Sequence, residues 1–232
     1  MSCETYRTSI SRRLLGHKMA FTMAEVLVTL GIIGVVAAMT LPGVAASHRS
    51  KALEALFKKR YSELSQVLLV FQDTEEYIYG LHTAPQLQDM LVKHFKGAKA
   101  PDRAMYLKNA DYQKRYLGYS LPVYKNYSQT AEFNKARLDD GFIAVNKGFF
   151  IYFNADGFST KNIYVIIDIN GLQKPNVIGY DVFVFKLDRA NTLKVLNQNT
   201  GLCSRTSNSD FNGWNCSYEA MNDGNYFKNL GW

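Results

Sequence analysis

Phe21–Pro42 reads FTMAEVLVTLGIIGVVAAMTLP, 22 residues carrying a single charge, Glu25. Coiled into a helix at ~1.5 Å per residue, the stretch reaches about 33 Å. A bilayer core asks roughly 20 apolar residues of a spanning helix, so the segment reads as membrane-embedded. A bare carboxylate in hydrocarbon costs at least ~2.5–3.5 kcal/mol even on lenient insertion scales. Glu25 therefore needs a cationic partner, or a position at headgroup level to which it can snorkel.

The charge distribution orients this span. Residues 1–20 hold Arg7, Arg12, Arg13 and Lys18 against Glu4, a net +3, which leaves +4 on the other 212 residues. Basic residues directly before an apolar run place 1–20 in the cytoplasm and the chain beyond Pro42 on the far side. Cys203 and Cys216 then fall in an exported region, where an oxidising compartment lets them pair. Their bridge closes a loop of about 14 residues, worth roughly 3 kcal/mol in the chain-entropy model. Nucleic-acid binding asks for a focused basic stripe. The basic residues here read as scattered groups such as Lys58-Lys59-Arg60, so no nucleic-acid partner is expected.

Helical periodicity resumes past the span. Leu53, Leu56, Phe57, Tyr61, Leu64, Leu68 and Phe71 recur at steps of three and four, the pattern of an amphipathic helix. Proline removes a backbone hydrogen bond and crowds the preceding turn, so Pro42 and Gly43 predict a kink in one long helix over about 22–75. A second helix is predicted over 85–96, and residues 98–140, tyrosine-rich and without a clean period, read as irregular. GFIAV from Gly141, the turn Asn146-Lys147-Gly148 and FFIYF predict a hairpin. Further strands are predicted at 162–168, 181–187 and 193–196. Residues 201–232 read as a loop region clamped by the bridge. The sum is an α+β fold, with a long bent N-terminal helix packed on an antiparallel β-meander head. Its expected parts are a leader at 1–20, a transmembrane helix at 21–42, an amphipathic continuation at 43–75 and an exported head at 76–232.

The leader and apolar run together resemble the N-terminus of type IV prepilins and of the pseudopilins of type II secretion systems. The residues carrying the likeness are Gly16-His17-Lys18-Met19-Ala20, then Phe21-Thr22-Met23-Ala24-Glu25, with Gly34 and the closing Leu41-Pro42. The family usually has Gly before the cut, and Ala20 departs from that while staying small. The resemblance implies cleavage between Ala20 and Phe21 by a prepilin peptidase and N-methylation of the new Phe21 amine. It implies further an inner-membrane platform and ATPase that assemble copies of the subunit into a filament. The expected location is the inner membrane, single-pass with the head in the periplasm, then a periplasmic pseudopilus or a surface pilus. In staggered parallel helices Glu25 would meet the Phe21 amine of a neighbour, and stranding one member of such a buried pair costs roughly 3–5 kcal/mol. Gly31, Gly34 and Ala38 share one helical face, where small residues let membrane helices approach closely; glycine and alanine are also simply common in apolar spans.

Asp168, Asn170, Asn176 and Asp181 surround a loop and could present oxygens to a hard cation such as Ca²⁺, and related pseudopilins carry a calcium site in C-terminal loops. Asn-Gly and Pro-Asn are equally turn formers, which makes the same loop a plain hairpin connection. No other cofactor is expected. His17, His48, His82 and His94 lack metal-ligand spacing, and no phosphate-cradling loop, G-x-S-x-G or CxxC occurs, so the chain is not expected to be an enzyme. Two alternatives remain. One is a secreted domain whose signal peptide ends at Val44-Ala45-Ala46, before Ser47. The other is a single-span anchored binding or enzymatic domain that never polymerises.

Overall fold

The computed structural model describes residues 21–73, 84–101, 107–155, 162–188, 190–198 and 200–231. The predicted leader, Ala20 included, and the last two positions of the predicted first helix lie outside them. The chain divides into two compact units, Met1–Ala45 and Ala46–Trp232.

In the first unit the described residues form the start of helix α1 (Met23–Asp73), whose helical backbone runs on through Pro42. From 21 to 45 every residue except Ala37 is exposed. Leu27 at 66%, Ile33 at 63% and Val35 at 57% present bare apolar side chains. The segment is long and apolar enough to cross a membrane.

The second unit is built on a five-stranded antiparallel sheet in meander order: β1 (Gly141–Ala144), β2 (Phe150–Ala155), β3 (Ile163–Asp168), β4 (Val182–Leu187) and β5 (Leu193–Val195). Side chains alternate across a strand, and here both faces are covered. Ile143, Ile151, Phe153, Val165, Ile167, Phe183 and Phe185 point to one core, which contains Leu53, Phe57, Leu64, Leu68 and Phe71 of α1. Phe142, Phe150, Tyr152, Ile166, Val182 and Val184 point to a second core, closed by Leu117, Leu121, Tyr124, Phe133 and Leu138. Strands buried on both sides lose the polar half of the alternation, which is why FFIYF and VFVF are apolar throughout. Phe57 sits at the centre of the first core, edge-on to Phe183 at 4.5 Å and 5.4 Å from Phe227 between ring centres.

Two helices fall where the sequence predicts loop. Helix α3 (Ala110–Leu117) lies within the expected irregular stretch; the Asn109 side chain accepts from the Tyr112 N–H, and Gly118 ends it in a left-handed conformation. These are ordinary cap signals. Helix α4 (Cys216–Asn222) lies in the expected tail loop, and Tyr226, Phe227 and Leu230 beyond it pack into the first core. Helix α2 (Ala84–Val92) stops four residues short of its predicted end. Its buried Gln88 accepts from the Phe142 N–H at 2.6 Å and donates to the Pro101 carbonyl at 3.2 Å. Lys99 exchanges two backbone hydrogen bonds with Ala144. Together these close the outer edge of β1, which would otherwise offer unpaired N–H and C=O groups to another strand.

Candidate functional site

The apolar helix begins on a reciprocal cap. The Glu25 N–H donates to Thr22 Oγ1 at 3.2 Å, while Thr22 N–H donates to Glu25 Oε2 at 2.8 Å. The Thr22 hydroxyl donates to the same oxygen at 2.9 Å. This is a capping box, a Thr followed three residues later by a Glu, each satisfying an orphan N–H of the first turn. The pattern stands openly in Thr22-Met-Ala-Glu25, directly before the apolar run, yet the family spacing draws attention to Glu25 alone. The cap changes what Glu25 requires. Its Oε2 already has partners inside its own chain, and among the described residues nothing bonds to Oε1. The carboxylate is thus held in a fixed orientation with one oxygen open. Because the Thr22 N–H is an internal amide, cutting before Phe21 would leave the box intact.

Phe21 is 85% exposed beside this cap. A Cβ built on Gly31 or Gly34 meets nothing within 4 Å, and Ala38 and Pro42 are also exposed. The face suited to close helix approach is therefore bare among the described residues.

The 168–181 loop does bring its four predicted residues together. Asp168 Oδ1 accepts from the N–H groups of Asn170 (3.1 Å) and Gly171 (2.6 Å), and Oδ2 accepts from the Tyr124 hydroxyl at 2.5 Å. Tyr124 in turn meets the Tyr152 hydroxyl at 3.0 Å. Asp181 accepts from the N–H groups of Asn176 (2.7 Å) and Val177 (2.8 Å). Asn170 donates to the Lys174 carbonyl, and Asn176, with its amide nitrogen facing inward, donates to the carbonyls of Gln173 and Gly171. Both aspartates are fully buried. Burial pushes the Asp181 carboxyl up to about 7; burial, and then the Asp181 charge, hold Asp168 well above the usual carboxylate range.

Every carboxylate oxygen in the loop accepts at least one N–H or O–H donor, while among the described residues Asn170 Oδ1 is a buried acceptor without a hydrogen bond. Ca²⁺ takes 6–8 oxygens, and among the described residues no group of three or more His, Cys, Asp or Glu is placed to hold a metal. The hydrogen bonds within the loop are those of a turn connection between β3 and β4. Gly179, at φ +89, fixes the far side of the loop, since a Cβ there would lie 2.6 Å from the Tyr127 ring and 2.8 Å from Cys216 Sγ. Tyr124 in this network escapes a reading of the sequence because 44 residues separate it from Asp168.

Cys203 and Cys216 are bridged, with Cα atoms 5.0 Å apart, and Cys216 is buried at the start of α4. His94 packs edge-on against Phe71. Asp140 accepts from the Ala155 N–H at 2.7 Å, tying β2 to the segment before β1. No protein-family model, curated protein or solved structure matches this chain.

Proposed function

We propose that the chain is a pilin-like structural subunit, anchored by its N-terminal helix and polymerised through it, in a type IV pilus or a type II secretion pseudopilus. One observation carries this: the apolar start of α1, exposed from residue 21 to 45 except at Ala37, opens on a cap that presents a single oriented carboxylate oxygen. Soluble monomers rarely expose so continuous an apolar surface. A bilayer, and afterwards neighbouring copies of the same helix, would cover it.

On this reading a leader peptidase cuts between Ala20 and Phe21, the new amine is methylated and keeps its charge, and Glu25 Oε1 receives the amine of an adjacent copy. The face of Gly31, Gly34 and Ala38 lets helices close in. The disulfide-closed head stands in the periplasm, and an inner-membrane platform with its ATPase lifts the subunit out. The subunit's act is assembly, not catalysis.

Glu25→Gln separates the two roles of this side chain. Glutamine preserves the capping box but removes the charge. The expected result is normal membrane insertion with filament incorporation reduced at least tenfold, as stranding a buried amine at ~3–5 kcal/mol requires. Filaments recovered from Glu25→Gln at the parent level would rule out the charge pairing.

A further inference from the structure

The net charge of this chain is not spread evenly over the head. Residues 93–137 contain ten lysines and arginines against Asp102, Asp111 and Glu132, a charge of +7 that equals the net charge of the whole protein. Averaging over everything after residue 20 hides this, because residues 21–92 and 138–232 are both slightly acidic. The structure brings two cations of this stretch, Lys99 and Arg115, to the region of α3, and adds a third from outside it, Lys147. Lys99 Nζ donates to the Tyr116 carbonyl at the end of α3, 3.5 Å away. Lys147, in the turn between β1 and β2, holds its Nζ 5.9 Å from the Tyr119 ring centre, and Tyr119 donates to the neighbouring Asn146 carbonyl. Arg115 is exposed on the same helix. Among the described residues Lys99, Arg115 and Lys147 form no ion pair.

Aromatic rings stand among these cations. Tyr112 and Tyr116, one helical turn apart on α3, are 37% and 45% exposed, although the sheet beside them buries most other aromatics. Neither ring is needed by the second core, which takes only Leu117 from that helix. We propose that this face, α3 with Lys99 and the β1–β2 turn, binds single-stranded nucleic acid. Unpaired lysines and an arginine track a phosphate backbone, and exposed rings offer stacking platforms to unpaired bases, a combination that suits single strands of any sequence. A duplex keeps its base faces covered and would use the cations alone.

The test uses the full chain in nonionic detergent and a fluorescein-labelled oligothymidylate, read by anisotropy across a salt series. With three phosphates neutralised by Lys99, Arg115 and Lys147, log K should fall against log salt with a slope of about −2. Lys99→Ala with Arg115→Ala should flatten that slope by about 1 to 1.5. Tyr116→Ala should weaken binding about tenfold with the slope unchanged, since stacking releases no counterions. Circular dichroism of each variant establishes that it is folded. Three results would overturn the proposal: no binding at low salt, equal binding of dextran sulfate with no effect of Tyr116→Ala, or retention on phosphatidylglycerol vesicles without any on the oligonucleotide.

Discussion

Replacing Phe57 by alanine tests how one helix is divided between two tasks. The Phe57 ring is 2% exposed and touches Phe183, Phe185 and Phe227 with centres 4.5, 6.2 and 5.4 Å away. Truncating a buried phenylalanine costs about 3–5 kcal/mol, the transfer term plus the cavity left behind. The ring pairs place Phe57 toward the upper part of that range, since each adds ~0.5–1.5 kcal/mol beyond area. Leu27, on the same helix, is 66% exposed, and Leu27→Ala should change stability by no more than ~0.5 kcal/mol. Urea unfolding of the full chain in mild detergent can be followed by tryptophan fluorescence, because Trp214 stacks on Phe133 in the second core. With a slope of about 2–3 kcal/mol per molar, Phe57→Ala should lower the midpoint by roughly 1.5–2 M, and Leu27→Ala should leave it in place. A loss below ~1 kcal/mol for Phe57→Ala, or equal losses for both variants, would refute the division of α1 into a core half and an exposed half.

The head should lose stability as pH rises from about 4 to 7. Asp181 is held near 7 and Asp168 well above the usual range, so the folded state binds these protons more tightly than the unfolded chain does. Their contribution is complete below the unfolded pKa and fades as pH passes upward through the folded value, by up to about 4 kcal/mol for Asp181. Urea midpoints at pH 4.5, 6 and 7.5 should fall for the parent and fall less for Asp181→Asn; a parent midpoint that rises over this window would contradict the buried pair. Cys203→Ser opens a loop of sequence separation 13 and should cost about 3 kcal/mol, seen as faster proteolysis of the head; equal protease resistance would show the bridge to be idle.

What the sequence reveals and what it withholds have physical causes. The strands are legible because burial on both faces makes them unbroken apolar runs between turn residues. The same feature announces that something must cover each face, and the α1 periodicity at Leu53, Phe57 and Leu64 supplies one cover. The other, residues 110–138, stays hidden because α3 buries Gln113 and Leu117, and a buried glutamine reads as polar. Gln113 is buried because it accepts from the Leu121 N–H and donates to the Lys108 carbonyl, contacts that no periodicity encodes. The caps Asn109 and Gly118, by contrast, stand in plain view. At the helix start the capping box is equally visible, whereas the linkage of Asp168 to Tyr124 and Tyr152 exists only after folding.

If the chain is a filament subunit, Phe21 becomes a charged terminus on a helix that other copies of this chain cover. Intact-mass and N-terminal peptide spectrometry of the protein purified from membranes or filaments tests this most directly. The expected product is a chain beginning at Phe21 with one added methyl group. A chain beginning at Ser47, or one still carrying Met1 throughout the purified material, would contradict it.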